Sequence, residues 1–124
     1  MEAGTRVHAA YKTGEYIGEV VEVTPRKAAV KVLAVVKHPD QGDLHQPTMA
    51  EVAFFHQRRA LSEGEIALMP LESVRPFAGN VPDYKSSLRD AIRREMDALQ
   101  GFVRYAERSL EELRQLKKDY FPEE

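Results

Sequence analysis

The apolar residues of this 124-residue chain change their spacing once, at Phe77-Ala78-Gly79-Asn80-Val81-Pro82. Before that junction they alternate with polar residues, the period-two pattern of half-buried strands. After it they recur every three or four residues, as on one face of a helix. The chain therefore reads as a β-rich part over residues 1–80 and a helical extension over residues 81–124.

Within the β-rich part, Val7, Ala9 and Tyr11 share one strand face, and Lys12-Thr13-Gly14 turns the chain, Gly14 being suited to φ > 0. The next strand is expected from about Glu15 to Thr24, with Ile17, Val21 and Val23 on one side. Pro25-Arg26 makes the following turn, because proline is preset for its first corner. Val30, Val32, Ala34 and Val36 form the clearest alternating face. Val52-Ala53-Phe54-Phe55-His56 reads as a further strand, Ser62-Glu63-Gly64 as a turn and Ile66 to Met69 as a strand. Pro70 to Ser73 then suits one helical turn, and Val74 to Phe77 a short last strand. Several short strands with frequent turns predict a small, strongly bent barrel, SH3-like in the first place and OB-type in the second.

In the extension, Asp83 is suited to cap a helix N-terminus. Tyr84, Leu88, Ile92, Met96 and Leu99 follow at helical spacing. Phe102, Val103, Ala106, Leu110, Leu113, Leu116 and Tyr120 form a second set, with Lys117 and Lys118 in the last turn and Pro122 as the stop. Gly101 separates the sets. Placed just past a helix end it favours a helical hairpin, the expected arrangement. Placed inside a helix it costs only about 1 kcal/mol relative to Ala and leaves one long helix, the alternative. Such a helix extends roughly 57 Å at 1.5 Å per residue, and its stripe calls for a partner chain, as in a homodimer through the C-terminal helices.

Composition narrows the function classes. The absence of cysteine excludes disulfides, Cys-type zinc sites, thiol nucleophiles and Cys-linked lipids. No apolar leader core or membrane-length run is present, so a cytoplasmic protein is expected. Residues 1–80 carry nine Lys+Arg against ten Asp+Glu, and residues 81–124 carry the same. Duplex binding draws its affinity from a basic excess, so no nucleic-acid partner is expected, and a nucleic-acid-binding barrel is a secondary reading.

The polar residues gather in Val36–Thr48. His38, Asp40, Gln41, Asp43 and His45 surround Gly42 there, in a stretch that also holds Pro39 and Pro47. Loops on a rigid scaffold concentrate binding residues, which makes these five candidates for a partner surface. Their spacing matches neither a His-Glu-x-x-His helix nor a calcium loop, so no metal and no cofactor is expected. A cryptic metal-dependent enzyme built on this loop is the remaining alternative. Catalysis has no other foothold: no serine sits in a nucleophile-elbow pattern, and Lys12-Thr13-Gly14-Glu15 lacks the Walker glycines. Phe54, Phe55 and His56 extend the candidate surface. Strand alternation would send the two phenylalanines to opposite faces, one of them beneath the C-terminal helix.

Longer strings carry a family resemblance. Ala10-Tyr11-Lys12-Thr13-Gly14-x-Tyr16-Ile17-Gly18-Glu19-Val20, Lys37-His38-Pro39-x-Gln41-Gly42-Asp43-Leu44-His45, Phe54-Phe55-His56, Pro82-Asp83-Tyr84-x-x-Ser87-Leu88 and Lys118-Asp119-Tyr120-Phe121 resemble the kinase-associated protein B (KapB) family of spore-forming bacteria. The resemblance implies a small accessory factor of a sensor histidine kinase that feeds the sporulation phosphorelay. It also implies an SH3-like barrel with a helical C-terminal extension, and supplies no catalytic or metal residues. The family has been described as a lipoprotein, a label from which this cysteine-free chain departs, so any membrane association would come through a partner.

Overall fold

The computed structural model describes residues 1–124. Its elements are β1 (Arg6–Tyr11), β2 (Gly14–Val23), β3 (Lys27–Lys37), β4 (Ile66–Pro70), a 3-10 turn (Leu71–Ser73), β5 (Arg75–Pro76) and α1 (Tyr84–Tyr120). The strands form one antiparallel sheet in the order β4-β3-β2-β1-β5. β1 and β4 approach each other without sharing a ladder, so the sheet is curled but open, where the sequence reading expects a barrel.

The bending comes from the β2–β3 ladder, whose register shifts between Glu15 and Tyr16, between Ile17 and Gly18, and between Val20 and Glu22. An extra residue on one strand of a pair bends that strand and increases its twist. These bulges also correct two expected faces. On β2, Tyr16 and Val20 reach the core, whereas Val21 and Val23 are exposed. On β3, Gly18 pairs with Val32 and Ile17 with Ala34, so Leu33 is the extra residue and the core face passes from Val32 to Val35. Ala34 and Ile17 are buried outside the main cluster. At Gly18 the strands run so close that a Cβ would collide with Val30 Cγ1 and stand 2.5 Å from the Lys31 carbonyl oxygen.

The β1–β2 turn differs in detail from its expectation. Lys12, not Gly14, takes the positive φ, at 52°. Gly14 is needed instead because the Tyr16 ring lies across it, where a Cβ would meet the phenol oxygen at 2.6 Å. The turns at Thr24–Lys27 and Ser62–Glu65 form where the sequence places them, each closed by a backbone hydrogen bond (Thr24 N–H to Lys27 C=O, 2.8 Å; Glu65 N–H to Ser62 C=O, 3.1 Å).

Val7, Ala9, Val20, Val30, Val32 and Met69 centre the core, and the start of α1 closes one side of it through Tyr84, Leu88 and Ala91. Asp83 caps that helix, its Oδ2 accepting from Ser86 N–H at 3.0 Å. Ser87 is buried, and its hydroxyl accepts from Val35 N–H at 3.0 Å while donating to Tyr84 C=O at 2.8 Å. That contact satisfies a backbone donor at the irregular part of β3.

Two expectations fail outright. Residues 52–56 form no strand: β3 already pairs with β2 on one side and β4 on the other. The helical hairpin is also absent, because α1 runs unbroken from Tyr84 to Tyr120. Gly101 keeps a negative φ, and its helix-interior cost of about 1 kcal/mol is too small to break a segment flanked by good helix formers. The chain divides into two compact units, Met1–Ile92 and Arg93–Glu124.

A Cβ at position 101 would meet nothing nearer than Arg104 Nη2, at 3.7 Å. Gly101→Ala is therefore expected to raise helicity and add about 0.5–1 kcal/mol of stability. Far-ultraviolet circular dichroism during urea unfolding measures both, and a loss of stability would restore the hairpin.

Candidate functional site

Between β3 and β4 the chain makes an excursion that carries all eight residues singled out for binding. It is moored first at the β1–β2 turn. Lys37 Nζ donates to Asp40 Oδ1 at 2.8 Å and to the Thr13 and His38 carbonyls at 3.3 Å. Asp40 N–H donates to Thr13 Oγ1 at 2.9 Å. Pro39 between them is buried, and its carbonyl lies 3.0 Å from His38 Nδ1.

Gln41 then substitutes for a strand residue. Its amide nitrogen donates to Arg58 C=O at 2.9 Å, and its amide oxygen accepts from Arg58 N–H at 2.8 Å, which zips the outgoing and returning limbs together. Gly42 completes the junction: its N–H donates to His56 C=O at 2.9 Å and its carbonyl accepts from Arg58 Nη2 at 3.2 Å. Only glycine suits the position. Its φ is +100°, and the Phe55 ring lies where a Cβ would stand, 2.9 Å from a ring carbon. Asp43 makes the next turn, its Oδ1 accepting from His45 N–H at 2.8 Å.

Most of the polar candidates are thus held in hydrogen bonds that shape the excursion, and His45 is exposed. No group of three or more His, Asp or Glu side chains lies close enough to hold a metal ion. The aromatic pair ends up outside. Phe54 is 71% and Phe55 58% exposed, neither seated beneath a helix, because without a strand there is no alternation to turn one inward. His56 stacks on Phe54 with ring centroids 6.0 Å apart.

The sequence reading missed a second feature of this face. Tyr11, Lys12, Thr13, Pro39, Arg58 and Leu61 line an open groove of about 210 Å³. Two tyrosines fix its floor at Leu61: Tyr16 Oη accepts from Leu61 N–H at 3.1 Å, and Tyr84 Oη donates to Leu61 C=O at 2.5 Å. Burial raises both phenol pKa values above the ordinary tyrosine range, and the Glu63 carboxylate adds to the rise at Tyr84. Gln57-Arg58-Arg59 is a basic string in the sequence, but nothing local to it shows that it borders a groove.

Gln41→Ala should leave Arg58 N–H and C=O without partners, a local loss of about 1 kcal/mol. Amide exchange at Arg58 should accelerate several-fold while the β2–β3 amides stay protected. Unchanged exchange at Arg58 would show that the limbs are held by other contacts. The tyrosines set an alkaline limit. Because the folded state keeps both phenols protonated more firmly than the unfolded chain does, their contribution is complete below about pH 10 and is lost as pH rises through the raised folded values. Urea unfolding at pH 8 and above pH 10 should show this decline, and Tyr84→Phe should make it shallower.

The sequence family described as kinase associated protein B matches residues 11–121. "Kinase-associated lipoprotein B" of Bacillus subtilis is 47% identical over 121 residues, covering 97% of this chain and 94% of that protein. The crystal structure of kinase-associated protein B from Bacillus cereus superposes with a TM-score of 0.69 at 42% identity, covering 97% of both chains. The present 124 residues contain no cysteine to carry a thioether-linked lipid, and no helix is long and apolar enough to cross a membrane. Matched along nearly its whole length in both sequence and structure, this chain belongs to the kinase-associated protein B family.

Proposed function

We propose that this protein is a non-catalytic accessory factor of a sensor histidine kinase in the sporulation phosphorelay, and that it acts by protein–protein binding. The observation that carries the reading is 47% identity across 97% of the chain with a relative whose name states association with a kinase. The docking surface in this proposal is the excursion face, with Phe54 and Phe55 as anchors and His38, Asp40, Gln41, Asp43, His45 and His56 around them. Aromatic side chains, phenylalanine included, are enriched at protein interfaces relative to the rest of the surface. Support comes from Gly42 and Gln41, whose contacts hold the Phe55 limb in place. The curled sheet is read here as an SH3-like barrel that stops short of closure. The chain carries no net basic excess to supply nucleic-acid affinity, so a protein partner is favoured. The protein works in the cytoplasm in this reading, and reaches the membrane through its partner.

The test is capture of a defined sensor histidine kinase from sporulating cells by the full chain and by a Phe54→Ala, Phe55→Ala variant. Wild-type protein should recover the kinase, and the variant, with its sheet intact by circular dichroism, should recover at least tenfold less. Failure of the wild type removes the accessory role. Equal recovery by the variant keeps the role and removes this surface.

A further inference from the structure

The Arg93–Glu124 unit holds the longest unexplained apolar surface of the protein. Met96, Leu99, Val103, Ala106, Leu110 and Leu113 follow one another at alternating steps of three and four along α1. All are exposed, Met96 by 54% and Leu113 by 60%. Ile92 extends the same spacing backwards and Tyr120 extends it forwards. This is a seven-residue repeat with Met96, Val103 and Leu110 at a and Leu99, Ala106 and Leu113 at d, the pattern that keeps a seam facing another helix. Gly101 falls at the outermost f position, where a missing side chain removes nothing from a seam.

We infer that α1 pairs with α1 of a second copy as a parallel, in-register, two-stranded coiled coil over residues 92–120. Charge selects the orientation. In the parallel arrangement the g-to-e contacts are Glu95 with Gln100, Phe102 with Glu107 and Ser109 with Arg114, and none joins like charges. The antiparallel alignment that overlaps the same layers brings Arg93 against Arg114 at both ends of its e-to-e flank. Sliding it one heptad either sets Glu107 against Glu107 or places Leu113 opposite Arg89. The single polar a residue, Lys117, lies three residues from the helix end. A lone a-position lysine fixes register at some cost in stability, and with two strands its stem can carry the ammonium out to water.

Light scattering on the full chain at micromolar concentration should give twice the 14.1 kDa chain mass. Leu99→Glu with Leu110→Glu should halve that mass while the amide-exchange protection of β2 and β3 is retained. Because the chain has no cysteine, Met96→Cys supplies a sole thiol. Mild oxidation should convert this variant to a covalent dimer, since like a positions face each other only in the parallel form. A monomeric wild-type chain overturns the proposal, as does a trimer or larger assembly. Cross-linking that appears only when Met96→Cys and Leu113→Cys proteins are mixed overturns the parallel orientation.

Discussion

The pairing of β2 with β3 is the constraint on which the other elements depend. Its three register shifts bend both strands within a few residues, and the close passage at Gly18 admits no side chain there. Bending brings β1 near β4, so that a single sheet can enclose a core of valines, alanines and Tyr16 around Met69. The same irregularity frees Val35 N–H, which Ser87 satisfies, and so fixes where the first turns of α1 sit. A flat ladder would offer that helix neither the concave seat nor the polar contact.

Features governed by a few consecutive residues were legible in the sequence. The turns at Pro25-Arg26 and Ser62-Glu63-Gly64, the helical turn before the last strand and the Asp83 cap all depend on local chemistry, and all are present. What escaped depends on residues distant in the chain. The bulge at Leu33 is defined only by its partners Ile17 and Gly18, so period-two counting put Ala34 and Val36 on the wrong side of the register shift. Phe54-Phe55 looked like strand because aromatic residues favour strands, but no free ladder was available to receive it. Gly101 could be placed in either helical arrangement, since its intrinsic penalty is small beside the propensity of the residues around it.

The polar excursion shows the same division. Its residue types were conspicuous in the sequence, and their uses were not. Gln41 completes a hydrogen-bond pair with a residue seventeen positions later, and Asp43 folds its own turn. Side chains that suggested ligands or reactive groups mainly shape the excursion, and the rings of Phe54 and Phe55 stand exposed beside them. Gly42 was the informative letter: a glycine with positive φ pressed against a ring ties the shape of the loop to the placement of Phe55.

The excursion is joined to the sheet mainly at its two roots. Near one, Lys37, Asp40 and Thr13 hold the outgoing limb; near the other, Val32 N–H donates to Glu65 C=O and Gly64 N–H donates to Val32 C=O. Gln41 and Arg58 clasp the neck, and the tip beyond them, around Pro47 to Glu51, is exposed. For a flexible segment the closure entropy grows only with the logarithm of length, about 0.6 kcal/mol per doubling. A clasp below the tip therefore insulates the sheet from the span around Pro47 to Glu51, which could lengthen or shorten at small cost while Gly42 and Phe55 near the neck keep their places.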